Sequence, residues 1–320
     1  MDNLVLILQK TIIYAIPLLI VALGGLFAER SGIINLALEG EMIFGAFIGA
    51  IFVQIFQKNG VFSESQVQWM FLIALLISGI GGALFSLLLS FSAIKLRSDQ
   101  TISGTALNML APAIVCTVCL VFYNQEKLVM NPMPIYVITN NTTGILAIFF
   151  NKAYLSTYVI IVVYAILAVW LYKSKVGIHM RACGEHPQAA DSVGINVHKM
   201  RYLGTTISGF LAGLGGYAYI ATCAAGTAES TIGGMGFLAL AIMIFGNWNP
   251  IGIILGSLMF GFLKCIGPLA GSIPFLKSLN LAYYLYNIIP YVVVIIVLVI
   301  FRNKSGCPKA EGIPYDKGKR

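Results

Sequence analysis

Long apolar runs separated by short polar stretches limit what this chain can fold into. Residues 11–28, 33–56, 69–94, 101–122, 154–172, 202–225 and 281–301 are runs of this kind. Each approaches the roughly 20 residues that a helix needs to cross a bilayer. In hydrocarbon every backbone polar group must find its partner within the segment, so such runs form helices. The composition agrees, with 58% hydrophobic and 10% charged residues. A soluble domain carries roughly 25% charged residues, and a chain this apolar has too few to cover a water-facing surface. The fold class is therefore an all-α polytopic membrane protein.

Two shorter runs, 232–245 and 251–266, are separated by Gly246-Asn247-Trp248-Asn249-Pro250. They are either two crossings or a re-entrant hairpin, so the expectation is about nine transmembrane helices, or seven plus a hairpin. The last span contains Pro290, and a long loop over 123–153 contains Pro132, Pro134 and a short apolar piece at 145–150. The first span follows Lys10 but lacks a small-x-small cleavage pattern, so it reads as a retained anchor.

Charge fixes the orientation. With the N-terminus outside, the inner segments receive Arg30, Lys95, Arg97, Lys173, Lys175, Arg181, Lys199, Arg201, Arg302, Lys304, Lys309, Lys317, Lys319 and Arg320, 14 of the 20 basic residues. The others are Lys10, Lys58, Lys127, Lys152, Lys264 and Lys277, with Lys264 close enough to a span end to snorkel. Basic residues collect in cytoplasmic loops, so the C-terminus is expected inside. The net charge of +8 thus reflects topology and not a nucleic-acid footprint.

Several chemistries lack their residues. No phosphate-cradling Gly-x-x-x-x-Gly-Lys-Ser/Thr loop occurs, so any ATP must be used by another chain. No Gly-x-Ser-x-Gly elbow or His-Glu-x-x-His pair occurs either. Cys116-x-x-Cys119 lies in an apolar run without a second ligand pair and reads as packing. His179, Cys183 and His186 lack a fourth ligand and read as loop residues without metal. Gly45-x-x-x-Gly49, Gly209-x-x-x-Gly213 and Gly252-x-x-x-Gly256 let helix backbones approach closely.

Charged groups inside a span cost about 2.5–3.5 kcal/mol each on insertion scales, which singles out Glu39 and Glu41. On a continuous helix these two point to nearly opposite sides. Asn35 and Glu39, four apart, share a face. Three readings stand: substrate contact, a buried network that pins helices, and proton coupling. Gln100, Thr101, Ser103, Thr105 and Asn108 form a polar stripe, with Thr101, Thr105 and Asn108 on one face. That face either hydrogen-bonds a polyhydroxylated solute or holds neighbouring helices.

The stretch 177–204 is the long polar segment between two apolar spans and holds all three histidines. His186-Pro187 reads as a helix start, since proline at the first helical position loses no hydrogen bond. About two turns follow, and Gly194 suits a left-handed cap. A short capped helix in a basic loop is the shape of a docking element.

Gln188-Ala189-Ala190-x-x-x-Gly194 resembles the Glu-Ala-Ala-x-x-x-Gly signature of bacterial ATP-binding-cassette importer permeases, with Gln188 in the first place. Residues 31–42 (SGIINLALEGEM) and 244–252 (IFGNWNPIG) strengthen the likeness. Together they resemble the branch serving simple sugars, branched-chain amino acids and nucleosides, and most of all the permeases of lipoprotein-linked nucleoside importers. The resemblance implies one permease domain over 1–301, a cytoplasmic coupling loop over 173–201 and a basic tail over 302–320. It implies that Glu185, His186, Pro187, Gln188, Ala189, Ala190, Asp191 and Gly194 engage a separate cytoplasmic ATPase that uses ATP and magnesium. It also implies a second, related permease chain, an extracellular substrate-binding lipoprotein, and a bacterial cell membrane. Asn35, Glu39, Thr101, Thr105 and Asn108 are the candidates for the solute pathway. The chain itself is expected to carry no cofactor, no metal and no catalytic residue. A reading of another class is an ion-coupled secondary transporter using Glu39 or Glu41.

Overall fold

The computed structural model describes residues 2–59, 66–130, 153–270, 283–301 and 306–317. The described residues are mostly helical. Its elements are α1 (Asp2–Arg30), α2 (Leu38–Lys58), α3 (Val67–Ser90), α4 (Gln100–Tyr123), β1 (Leu128–Val129), α5 (Leu155–Lys173), α6 (Lys175–Glu185), α7 (Pro187–Ser192), α8 (Val197–Thr222), β2 (Thr227–Ala228), α9 (Met235–Phe245), α10 (Pro250–Leu269) and α11 (Tyr283–Phe301). One wide turn, Phe91–Lys95, continues α3. Among the described residues, six helices are long and apolar enough to cross a membrane: α1 to α5 and α10. The loop prolines Pro132 and Pro134 and the 145–150 piece lie outside the described residues.

Polar side chains start several helices. Asp99 accepts from the amides of Thr101 and Ile102, Ser174 from Gly177, Asn196 from Lys199, and Asn249 from Ile251. Each satisfies a donor that the first helical turn leaves open.

Helix α8 is the centre of the bundle and packs on α1, α2 and α3. It is less hydropathic than its neighbours because its buried stripe is made of small residues: Gly204, Thr205, Ser208, Gly209, Ala212, Gly213 and Gly216. Gly213 sits where a Cβ would meet the Ser78 carbonyl at 2.2 Å, and Gly45 where one would meet Gly213 Cα at 2.5 Å. The glycine spacings thus mark backbone contacts between α2, α3 and α8, as expected of helix packing in lipid. Helices α4 and α5 lie at the periphery and expose most of their apolar surface.

Four features differ from the sequence reading. The second span begins as a helix at Leu38 and not at residue 33. Residues 31–37, the first five of that span and the two before it, are non-helical, and Asn35 Oδ1 there accepts from the Ala37 amide at 3.0 Å. Such a local bond competes with the helix ladder. The stretch over 175–185, where His179 and Cys183 read as loop residues, is a helix with Gly184 near its end. Gly184 allows close contact, since a Cβ there would meet the Arg30 carbonyl at 2.4 Å. The short run at 232–245 is helical only over Met235–Phe245. At 1.5 Å per residue α9 is about 16 Å long, half of a hydrocarbon core of about 30 Å. Lastly, residues 306–317 of the tail are folded back onto the protein.

The two ends of the bundle are distinct. At one end β1 pairs antiparallel with β2, Leu128 opposite Ala228, beside a Lys127–Glu229 ion pair at 3.7 Å. At the other end α6, α7, the 31–37 segment, the 246–249 turn and the folded tail come together.

Candidate functional site

Two helix starts meet inside the bundle. Helix α2 starts there and runs toward the strand end; α9 starts there and runs toward the α7 end. Both N-termini carry open amides and partial positive charge. Glu39, in the first turn of α2, answers the second of them. Its carboxylate accepts from the Gly236 amide at 2.6 Å and from the Gly234 amide at 2.9 Å. Gly233 and Gly234 both have positive φ, +63° and +72°, and this left-handed pair turns the chain into α9. From α10, Lys264 donates to the Gly233 carbonyl at 3.2 Å and to the Tyr291 hydroxyl at 2.9 Å. Tyr291, on α11, also donates to the Gly233 carbonyl. Lys264 therefore turns inward to this junction instead of snorkelling to a span end.

The second carboxylate, Glu41, has Asn35 as its partner. Asn35 bonds Glu41, with Nδ2 donating at 2.9 and 3.1 Å, and also donates to Ser208 Oγ at 2.8 Å. The shared face of Asn35 and Glu39 assumed a helix that passes through both, and the break at 31–37 removes it. Glu41 and Asn35 are fully buried and pin α2 to α8.

The α4 stripe divides. Gln100 accepts from the Ile34 amide at 2.8 Å. Asn108 accepts from the Gly40 amide at 2.8 Å and donates to the Leu36 carbonyl at 2.6 Å. Both support the non-helical segment, whose buried backbone groups need partners. Thr101 and Thr105 are exposed, and Thr105 bonds back to the carbonyls of Thr101 and Ile102. Exposed at the junction itself are Gly233 and Phe237. A groove of about 530 Å³ between α1, α5 and α10 is lined by Ile13, Ile16, Tyr158, Ile161 and Ile254 among others. It is mostly apolar and lies away from these polar groups.

At the opposite site, α7 has Pro187 at its first position and Gly194 in the left-handed region, φ +87°. Pro187 and Ala190 face inward; Gln188, Ala189, Ser192, Val193 and Gly194 face out. Val193 is 75% exposed. Behind the helix, Ala190 packs with Cys183, Val197 and Tyr315. His186, exposed, forms the corner between α6 and α7, and its carbonyl accepts from the Ala190 amide at 3.0 Å. Glu185 lies 3.6 Å from Arg30, which also donates to the Trp248 carbonyl at 2.9 Å. Asp191 lies 4.0 Å from Lys317. Burial pushes the Cys183 thiol up to about 11, so it stays protonated at neutral pH.

Residues 7–298 match the family described as the permease component of branched-chain amino acid transport systems. The chain belongs to that family. This permease is 40% identical to the guanosine ABC transporter permease protein NupQ of Bacillus subtilis, over 98% of both chains. It is 40% identical to the nucleoside ABC transporter permease protein NupC of Lactococcus lactis, over 99% of both. It is 28% identical to a putative glucose ABC transporter permease protein of Haloferax volcanii, over 93% of both. No solved structure matches it. The permease is thus a multi-pass membrane component and not an enzyme.

Sequence reasoning missed Lys264, Tyr291 and the Gly233–Gly234 turn as parts of one junction. The paired glycines just before an apolar run too short to span were the available signal.

Proposed function

We propose that this permease forms the nucleoside pathway of an ATP-driven importer in a bacterial cell membrane. Helix α7 is its docking element for a separate cytoplasmic ATPase, which uses ATP and magnesium. The observation that carries this reading is the capped two-turn helix at the basic end, with an outward face of Gln188, Ala189 and Val193. The 40% identity to permeases named for guanosine and nucleosides favours nucleosides over sugars, whose relative stands at 28%.

A second permease chain of related sequence completes the pathway, and an external binding lipoprotein delivers the solute. The N-terminus lies outside and α7 inside, in line with the basic residues. The pathway passes the α2–α9 junction. There Glu39 holds the half-helix, and exposed Phe237 offers an aromatic face to a nucleobase. Broken helices whose N-termini meet at mid-depth are a recurrent way of building solute sites in transporters. Thr101 and Thr105 face the same pathway or the second permease from α4. Asn35 and Asn108 serve it by holding the segment before α2. ATP drives transport by binding more tightly to the state in which the docking helices are drawn together.

The test is uptake of radiolabelled guanosine or uridine by the chain co-expressed with its partner subunits, with an active or an inactivated ATPase. The expected result is uptake that needs the ATPase and is competed by other nucleosides. ATPase-dependent uptake competed by a sugar instead reassigns the solute. Uptake by the chain alone removes the importer reading and favours ion coupling.

A further inference from the structure

Residues 306–317 contain no helix or strand, so contacts elsewhere must offset the entropy of ordering them. Those contacts fall on α7 and on the elements around it. Tyr315 is 5% exposed and packs with Ala190, the inward residue of α7. Its ring lies 5.3 Å from that of His198 at the start of α8. Lys317 reaches Asp191 on α7 at 4.0 Å.

From there the segment runs to both broken elements. The Gly312 amide donates to the Gly32 carbonyl at 3.3 Å, and the Ala310 amide to the Gly184 carbonyl at 2.9 Å. Gly32 lies in the non-helical stretch that ends at α2, three residues before Asn35. At the other side the Gly306 amide donates to Asn247 Oδ1 at 2.6 Å, in the turn that ends α9. Glu311 shares a hydrogen bond with Glu29, whose carboxylate also accepts from the Trp248 indole in that same turn.

We propose that segment 306–317 is the transmission strap of this permease: it takes displacement of α7 at Tyr315 and carries it to the stretch before α2 and the turn after α9, whose far ends meet at Glu39. Tyr315 and Glu311 are positioning residues in this scheme, touching neither solute nor nucleotide. The inference rests on α7 being the ATPase-docking helix. It goes beyond that reading by giving α7 a further route to the α2–α9 junction, beside α8 and the Glu185–Arg30–Trp248 contacts. Packed contacts between elements with two arrangements can carry such coupling, typically 5- to 150-fold.

The experiment uses the full importer in proteoliposomes, with radiolabelled uridine and measured ATP hydrolysis. Tyr315→Ala is expected to assemble and hydrolyse ATP while uridine moved per ATP falls about tenfold; Tyr315→Phe restores the ratio. In the wild-type complex, hydrogen exchange at the Ala310 and Gly312 amides should differ about tenfold between nucleotide-free and vanadate-trapped states. An unchanged ratio in Tyr315→Ala, or proportional loss of hydrolysis and uptake, overturns the proposal. So does equal exchange in the two states, a result that stands even if the alanine variant fails to assemble. Uridine uptake by the wild type without its ATPase removes the docking reading itself.

Discussion

Glu39 on α2 caps α9: its carboxylate takes the Gly236 amide at 2.6 Å and the Gly234 amide at 2.9 Å, across 197 and 195 residues of sequence. A carboxylate at this depth is costly unless it is hydrogen-bonded. Here it stands at a place where two helix N-termini already concentrate positive potential. The same group that looks expensive in the sequence is what caps an 11-residue helix that begins inside the bundle. Lys264 and Tyr291 close the turn from the other side through the Gly233 carbonyl.

Glu39→Gln should therefore destabilise the folded permease. The amide keeps one acceptor oxygen, turns an NH2 toward the donor that the other oxygen served, and loses the charge. The expected cost is about 1–3 kcal/mol, the range for hydrogen bonds to charged groups. It should appear as an earlier thermal transition in detergent at every pH from 5 to 8. A variant that stays as stable as the wild type and loses only pH-dependent uptake would indicate proton coupling instead.

The parts legible in the sequence were those fixed by local chemistry. Pro187 and Gly194 bound α7 because a proline start and a left-handed glycine stop act within one or two turns. The glycine spacings of α2 and α8 gave the packing seam for the same reason. Asn35 misled because four-residue spacing implies a shared face only on an unbroken helix. The break depends on partners 66 to 72 residues away, Gln100 and Asn108. The depth at which α9 begins was equally hidden, since Glu39 and Lys264 meet it from other elements. The tail has no periodicity to read; its order comes from contacts such as Tyr315 against Ala190.

Two substitutions at the coupling helix should abolish uptake by different routes. Ala190→Arg places a charge in the cluster with Cys183, Val197 and Tyr315, where burial without a partner is unfavourable. Gly194→Val meets no atom within 4 Å. Its effect comes from the backbone, which a branched residue holds at φ +87° only at a cost of about 1–2 kcal/mol. Both variants should insert in the membrane at normal levels, judged by membrane fractionation, with nucleoside uptake down at least about tenfold. Normal uptake in both would remove the docking role of α7.

The folded tail should loosen as pH rises. Burial raises the Glu311 carboxyl above its ordinary 4.5, against the lowering effects of Cys307, Glu29 and Arg30. The folded state thus holds this proton more tightly than the unfolded chain. The sign follows from linkage: the contribution is fully present below the ordinary carboxylate range and declines as pH climbs through the raised value. Exchange at the Gly312 amide should accelerate from pH 5 to pH 8, after correction for intrinsic rates, and Glu311→Gln should flatten that dependence. A wild-type profile identical to that of the glutamine variant would contradict it.

Gly213→Ala offers the sharpest contrast with Gly194. At Gly213 the backbone is ordinary helix and only space is lacking, since a Cβ would lie 2.2 Å from the Ser78 carbonyl and 3.1 Å from Gly79 Cα. Ser78 Oγ also donates to the Gly213 carbonyl at 2.6 Å, so α3 and α8 are held together where they would have to part. Neither neighbour is a flexible side-chain tip, and both helices must separate to admit a methyl group. Overpacking of this kind costs about 1–3 kcal/mol, and here it falls on the contact between α8 and the helices around it. The expected outcome is a lower thermal midpoint in detergent and a reduced yield of folded protein, with uptake per folded molecule much less affected. A variant with wild-type stability would mean that α3 and α8 do not approach this closely in the membrane.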